Sequence, residues 1–247
     1  MKSMFTYAMI FIGWLLGGFF CGISGLGAMM LALPVLTFVL APKTAILLCC
    51  LVGGPCCIQL AWLYRKHVSC PDIKWLWLGC IPGCVIGTLV LKTVPANCLQ
   101  LGLSLLICVF LILQFTENES GTVLKDSIPS LLIAGCASGF TNATVSIGGV
   151  PMGIFVLLKQ WDKNKARGTM GMFFMLSSLI TIAVQWFSGL YSASLFGLSF
   201  IGTAGCFAGM SLGFKVGKSI NQMLFIKLIQ IFLACVAIML FWKGIRS

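Results

Sequence analysis

Long stretches without a single charged residue run through this chain of 247 residues. They are residues 3–42, 44–64, 75–91, 93–116, 127–158, 168–214 and 219–242, the last interrupted only by Lys227. About 20 helical residues cross a bilayer core of about 30 Å, and all but one of the stretches reach that length. Because buried helices of water-soluble proteins are not uncharged for so long, the chain is predicted to be an all-α polytopic membrane protein.

Besides 168–214, two of the stretches are too long for one straight helix, and each of these two contains glycine and proline residues that interrupt a helix. The interruptions are residues 22–27 with Pro34 in the first stretch, and residues 139–144 with 148–151 in the second. The stretch 168–214 is long enough for two helices, with a break predicted at the polar residues 188–192. The sequence therefore predicts about eight hydropathy spans, two of them broken, or ten helical pieces.

The two broken stretches match each other at a constant offset of 117 residues, which pairs Gly22 with Gly139 and Pro34 with Pro151. This matched spacing predicts an internal repeat. Each half then contains five helical pieces, and an odd number predicts that the repeats are inverted relative to each other. The predicted parts are an N-terminal repeat of transmembrane helices at 1–118, a polar linker at 119–127 and a C-terminal repeat at 128–247.

The broken stretches also carry the candidate binding groups. No Asp, Glu or His falls within a predicted span, so a proton relay through the protein has no residue to use. Half-helices that begin near Gly27 and Gly148 would direct free N–H groups at one central point, which suits a small anion. The predicted substrate-binding residues are Ser24, Gly25, Gly27, Gln59, Thr141, Asn142, Thr144, Ser146, Gly148, Gly149 and Gln185, with Arg167 as a gate and Pro34 and Pro151 as hinges.

For some of these residues the sequence leaves a second role open. Gln59 and Gln185 would serve equally well in hydrogen bonds between helices. Arg167 follows Lys159, Lys163 and Lys165, and so it also fits a solvated basic loop. Loops of this kind explain the net charge of +11 without an anionic cargo.

The residues at the two breaks, 22–34 and 139–151, resemble the duplicated glycine-rich signatures of the sulfite exporter TauE/SafE family. The segment 165–169 after the second signature, with its helix-opening Arg167, is similar as well, and the resemblance covers nearly the whole chain. It implies a multi-pass permease of the bacterial inner membrane that exports small sulfur-containing anions such as sulfite, sulfoacetate or related organosulfonates. Residues 142–146 depart from the glycine-rich start of the family pattern, and they add side-chain donors.

Three other classes compete with this interpretation. A carrier for another small anion or organic acid would have the same architecture. A metal- or thiol-handling protein is suggested by the cysteine pairs 49–50 and 56–57 and by Cys80 with Cys84. An intramembrane enzyme needs a catalytic constellation that the predicted spans lack. The expected partners are therefore a small sulfur-containing anion and the lipid bilayer, and a homodimer is left open. We expect no nucleic acid partner, no cofactor, no metal and no enzymatic activity.

Overall fold

The computed structural model describes residues 2–24, 27–63, 65–68, 70–95, 97–99, 101–102, 104–105, 108, 127–159, 161, 163–216, 234 and 238. Its helices are α1 (Lys2–Ser24), α2 (Ala28–Leu36), α3 (Pro42–Leu63), α4 (Cys70–Thr93), α5 (Ile128–Val145), α6 (Gly149–Leu158), α7 (Lys163–Phe187) and α8 (Ala193–Val216), with a short 3-10 helix at Arg65–His67. These residues include no strand. The prediction of an all-α membrane protein is confirmed.

Six of the described helices, α1, α3, α4, α5, α7 and α8, are long and apolar enough to cross a membrane. They are helical because backbone polar groups in lipid must find their partners within the same segment. α7 ends at Phe187 and α8 begins at Ala193, so the break predicted at 188–192 is confirmed. The predicted spans at 93–116 and 219–242 lie largely outside the described residues, and the total of eight spans stays a prediction.

Both long stretches that were predicted to be broken are broken. α1 ends at Ser24 and α5 at Val145, α2 begins at Ala28 and α6 at Gly149, and both pairs of positions are 121 residues apart. α2 has 9 residues and α6 has 10, so the two half-helices rise about 14 and 15 Å, roughly half of a bilayer core. Neither is long enough to cross, and the inverted relation between the repeats stays a prediction.

The second break lies about one helical turn later than the sequence predicts. Residues 139–144 continue α5, and the chain leaves the helix only at Ser146. Gly139 serves packing rather than unwinding, because a Cβ at this position would lie 2.6 Å from the carbonyl oxygen of Cys80 on α4. Gly27 therefore corresponds to Gly148, at an offset of 121 rather than 117 residues.

Contacts divide the chain into two compact units. The first unit contains α1, α2, α8 and α3 as far as Val52. The second unit contains α3 from Gly53 onward together with α4, α5, α6 and α7. Each unit contains helices from both halves of the chain. The division into two repeats with a linker at 119–127 is therefore not the same as the division into units, and it stays a prediction.

In the first unit, α1 packs against both α2 and α8. Gly17 faces the backbone of Ala28, which places α2 alongside α1. Gly18 faces Cys206 on α8, and further glycines of the pair also face the backbone of the opposite helix, namely Gly22 on α1 and Gly205, Gly209 and Gly213 on α8. Because lipid supplies no hydrophobic force between helices, small residues that allow such close approach stabilise the packing.

The second unit is organised by the packing of α4 against α5 and α7. Glycines at intervals of four residues face the backbone of the opposite helix, namely Gly79, Gly83 and Gly87 on α4 and Gly135 and Gly139 on α5. α7 packs against α3 as well, since a Cβ at Gly171 would lie 3.1 Å from the backbone nitrogen of Ala61. These contacts bring the C-terminal end of α5 between α4 and α7.

Candidate functional site

The break between α5 and α6 lies inside the second unit. Ser146 has a left-handed φ of 60°, and its N–H donates to the carbonyl oxygen of Asn142 at 2.9 Å. The N–H of Ile147 donates to the carbonyl oxygen of Thr141 at 3.4 Å, which closes the end of α5. α6 starts two residues later, at Gly149, and the N–H groups of its first turn have no partner within the helix. The break therefore places the N-terminus of a helix in a buried position.

Ser138 fixes the start of α6 against α5. Its hydroxyl donates to the carbonyl oxygen of Gly148 at 2.7 Å. A Cβ at Gly148 would lie 2.9 Å from the Cβ of Asn142 and 2.9 Å from the carbonyl oxygen of Ser138. The half-helix begins at this place because only glycine lets the two backbones approach so closely.

A polar face of α7 lies against the end of α5. Ser177, Thr181 and Gln185 follow one another at four-residue intervals, and each is 0% exposed. The amide nitrogen of Asn142 donates to the hydroxyl oxygen of Thr181 at 3.3 Å, and Thr181 donates to the carbonyl oxygen of Ser177 at 2.9 Å. The amide nitrogen of Gln185 donates to the carbonyl oxygen of Ala143 at 3.2 Å. The polar face thus follows the last turns of α5 toward the break.

α4 contributes the third side of the same region. The sulfur of Cys84 lies 3.2 Å from the hydroxyl oxygen of Thr181. The hydroxyl of Thr144 donates to the carbonyl oxygen of Phe140 at 2.7 Å and to that of Gly87 on α4 at 3.3 Å. We refer to the resulting group as the polar cluster, and its members are Cys84, Ser138, Asn142, Thr144, Ser146, Ser177, Thr181 and Gln185.

Two further side chains of the second unit contain a buried oxygen atom that has no partner among the described residues. They are the amide oxygen of Gln59 on α3 and the hydroxyl oxygen of Thr88 on α4. An unpaired buried polar atom costs about 1–3 kcal/mol, so each is a candidate for a bond to a bound molecule. The Thr88 hydroxyl is able to donate to an anion, whereas the amide oxygen of Gln59 only accepts.

The polar cluster contains no carboxylate, imidazole, ammonium or guanidinium group. Its donors are hydroxyl and amide groups together with the backbone N–H groups at the start of α6. A helix N-terminus is equivalent to about half a positive elementary charge. The site therefore favours a small anion over a cation without placing a fixed positive charge in the membrane.

Comparison with known proteins identifies the family. The sequence profile of the sulfite exporter TauE/SafE family matches residues 10–240, which is most of the chain. The chain belongs to this family. The comparisons with curated proteins and with solved structures gave no match. As a TauE/SafE protein, the chain is a multi-pass membrane protein of a transporter family, and the predicted resemblance to this family is confirmed.

The second unit of this TauE/SafE protein brings together five of the predicted site residues. Asn142, Thr144, Ser146 and Gly148 lie at the end of α5 or in the break, and all four are buried. Gln185 reaches the same region from α7, and its amide oxygen accepts a hydrogen bond from the Tyr191 hydroxyl at 2.6 Å. Gln185 therefore serves in a hydrogen bond between helices, and its role in substrate binding stays a prediction.

The other predicted residues of the C-terminal half lie at the margin of the break. The hydroxyl of Thr141 donates to the carbonyl oxygen of Ala137 in its own helix at 2.9 Å. Gly149 and Pro151 lie in the first turn of α6, where a proline has no hydrogen-bonded N–H to lose. Arg167 lies near the start of α7, and its side chain falls outside the described residues. Its role as a gate stays a prediction.

The predicted residues of the first broken segment lie in the first unit. Gly27 has a φ of 89° and directly precedes α2. Pro34 lies inside α2, and its carbonyl oxygen accepts the hydroxyl of Thr37 at 2.7 Å. Gly25 and the side chain of Ser24 fall outside the described residues. That both breaks form one site, with prolines as hinges, stays a prediction.

Ser138, Ser177 and Thr181 belong to the polar cluster but are absent from the residues predicted from sequence. Their signal is the spacing of four between residues 177, 181 and 185, which places three polar side chains on one face of a helix. The signal is weak on its own, because Ser and Thr in an apolar helix often bond to their own backbone. Ser177 does so here, with the carbonyl oxygen of Phe174 at 3.3 Å.

The basic loop before α7 is only partly solvated, in contrast to the prediction. Lys159 is 8% exposed, and its ammonium nitrogen lies 5.6 Å from the centre of the Phe155 ring. An amphipathic stem that packs against an aromatic ring accounts for this burial. Lys165 fits the predicted loop better, because its side chain is 42% exposed and pairs with Asp72 at 3.4 Å.

The cysteine pair on α4 belongs to the polar cluster rather than to a separate site. The sulfur atoms of Cys80 and Cys84 lie 3.4 Å apart. Within the described residues, no group of three or more His, Cys, Asp or Glu side chains is placed to hold a metal ion. Cys84 contacts Thr181 instead, which makes it a neighbour of the candidate anion site.

Proposed function

We propose that this protein exports small sulfur-containing anions, such as sulfite, sulfoacetate or a related organosulfonate, across the bacterial inner membrane. The anion binds at the break between α5 and α6, against the polar cluster. The observation that carries the proposal is the buried start of α6 beside a cluster of neutral hydroxyl and amide groups in a member of the sulfite exporter family.

The donor set is suited to a weakly held, exchangeable anion. Removing an anion from water costs several kcal/mol even after the protein relaxes. Each hydrogen bond to a charged group returns about 1.5–3 kcal/mol, so three or four donors offset that loss. The Thr88 hydroxyl and the first N–H groups of α6 would supply such donors, while the hydrogen bond between Asn142 and Thr181 holds the end of α5 in place. Without a fixed countercharge the anion is not trapped, which a transport cycle requires.

The membrane potential supplies a driving force for export. Moving one elementary charge through 100 mV is worth about 2.3 kcal/mol, and a doubly charged anion gains about twice that amount on leaving a negative interior. Export of an anion therefore needs no proton relay. The predicted spans contain no Asp, Glu or His that would form one.

Flux through proteoliposomes under an imposed potential tests this proposal. Purified protein is reconstituted with sulfite inside, and a potassium diffusion potential is set with valinomycin. We expect sulfite efflux to rise when the interior is negative and to fall when the potential is reversed. Gly148→Leu serves as the inactive control, and Gly153→Ala as the matched active one, because a Cβ at Gly153 meets nothing within 4 Å. Efflux that ignores the potential would contradict electrogenic export.

A ligand panel separates the proposal from a carrier for another small anion. Thermal unfolding is measured with sulfite, thiosulfate, sulfoacetate, taurine, acetate and phosphate. A ligand that binds only the folded state stabilises it by about 2.7 kcal/mol at a concentration of 100 Kd. We expect the sulfur oxyanions and sulfoacetate to raise the melting temperature most. A larger shift with acetate or phosphate would favour the alternative carrier.

A further inference from the structure

A shallow groove runs along the first turns of α4, apart from the polar cluster. Its volume is about 590 Å³, and its lining includes Pro71, Lys74, Trp75, Trp77, Leu78 and Ile81. The lining is apolar except for the ammonium group of Lys74. Trp77, Leu78 and Ile81 are exposed large side chains, so the groove opens onto the surface of the chain that faces lipid in a membrane protein.

Tryptophans and basic residues collect at the same end of the second unit. The guanidinium carbon of Arg65 lies 4.2 Å from the centre of the Trp62 ring, and the ammonium nitrogen of Lys165 lies 4.6 Å from that of Trp161. Lys165 also pairs with Asp72 in the first turn of α4. Tryptophans are typical of the boundary between hydrocarbon and headgroups, and basic residues are typical of the side that faces anionic lipids.

We propose that this groove binds one anionic phospholipid of the surrounding bilayer. The phosphate lies at the ammonium group of Lys74, and an acyl chain follows Trp77, Leu78 and Ile81. Lys74 precedes Ile81 by seven residues, or about 10 Å along the helix, so the charged and apolar parts are in the order that a lipid presents from the interface inward. Asp72 is already paired with Lys165, and Lys74 is the cation that lines the groove.

Charge complementarity favours a lipid over a second copy of the chain in this groove. A two-fold contact centred here would bring the two Lys74 side chains together in apolar surroundings. Like charges in such surroundings repel strongly. A phosphate brings the opposite charge, and its acyl chain covers the apolar floor.

The tryptophans of the groove serve as reporters in the test. Full-length protein is reconstituted in phosphatidylcholine vesicles in which part of the lipid is brominated phosphatidylglycerol or brominated phosphatidylcholine, and bromine quenches nearby tryptophan. One lysine near an anionic lipid is worth a factor of about five in affinity. We therefore expect the fraction of brominated lipid that gives half-maximal quenching to be about fivefold lower for phosphatidylglycerol than for phosphatidylcholine. The part of the quenching that prefers phosphatidylglycerol should disappear in the double variant Trp75→Phe, Trp77→Phe.

Two lysines at opposite ends of α4 form the matched pair for this experiment. Lys74→Gln should remove the preference for the anionic lipid, whereas Lys92→Gln, in the last turn of the same helix, should leave it intact. A preference that survives Lys74→Gln, or that Lys92→Gln removes equally, overturns the proposal. Equal quenching of the wild-type protein by both lipids would also overturn it. The same holds if a second copy of the chain protects Trp75 and Trp77 from both lipids. The outcome does not depend on which anion is exported.

Discussion

The two broken segments of this chain are alike in geometry and differ in chemistry. In each, a long helix is followed after a short break by a half-helix of 9 or 10 residues. The last turns of α5 bury Ser138 and Asn142, whereas the corresponding positions of α1, at the offset of 121, are Gly17 and Cys21. A Cβ at Gly27 would lie 2.8 Å from the ring of Phe20, whereas Gly148 faces Ser138 and Asn142. Gly27, directly before α2, is packed against an aromatic ring, and Gly148, directly before α6, is packed against hydrogen-bonding residues.

This difference separates what a broken helix provides from what its neighbours provide. A half-helix supplies backbone N–H groups and a positive dipole end wherever it begins. Side-chain donors around that end decide whether a desolvated anion is stabilised there. In our proposal the second break is therefore the principal anion contact.

The largest effect is expected from Gly148→Leu. A leucine cannot fit between Asn142 and the backbone of Ser138, so the start of α6 must move and the donor set is lost. We expect sulfite efflux and stabilisation by sulfite to disappear. Gly153→Ala, where there is room for a Cβ, should transport normally. If both variants lost sulfite efflux to the same extent, the effect would come from any change in α6, and it would not support the second break as the anion contact.

A smaller effect is expected from Thr181→Val. Valine has nearly the shape of threonine but removes the hydroxyl that contacts Asn142 and Cys84. Leaving a buried amide without its partner costs about 1–3 kcal/mol, which corresponds to a rise of about 5- to 150-fold in the sulfite concentration at half-maximal efflux. Thr93→Val is the control, because the exposed Thr93 hydroxyl donates to the carbonyl oxygen of Leu89 in its own helix. An unchanged half-maximal concentration in Thr181→Val would remove α7 from the site.

The smallest effects concern the backbone at the two breaks. Ser146 has a φ of 60°, which strains a residue with a side chain, so Ser146→Gly relieves this strain while it removes a buried hydroxyl, and we expect the free energy of unfolding to change by less than about 1 kcal/mol. Gly27→Ser should lower it by about 1–3 kcal/mol, because φ is 89° and the new Cβ would contact Phe20. Chemical denaturation measures both values. Destabilisation by Ser146→Gly larger than that by Gly27→Ser would contradict the assigned geometry of the breaks.

The helices and their breaks were predictable because a segment in lipid must satisfy the hydrogen bonds of its own backbone. An uncharged stretch in a membrane must be helical, and glycine and proline mark its interruptions. The exact residue of the second break was not predictable, since Gly139 packs against Cys80 and the sequence alone does not distinguish a packing glycine from an unwinding one. The relevant contact joins residues on different helices.

The candidate site was predictable along one segment but not across helices. Asn142, Ser146 and Gly148 stand within the signature itself, and the structure places them together. Thr181 joins them only because α7 packs beside α4, and its role depends on a hydrogen bond across 39 positions of sequence. Lys159 was assigned to a solvated loop because burial against Phe155 leaves no trace in composition.

Asn142→Asp tests the central claim, that a neutral donor set at the second break binds the anion. The substitution keeps the size of the side chain and exchanges a donor for a negative charge. Two like charges about 4 Å apart repel by about 4 kcal/mol at an effective dielectric constant of 20. Thermal unfolding is measured with and without sulfite at neutral pH, with Asn142→Leu as the uncharged comparison. We predict that sulfite no longer stabilises Asn142→Asp and still weakly stabilises Asn142→Leu. Stabilisation of Asn142→Asp by sulfite to the wild-type extent would contradict the claim.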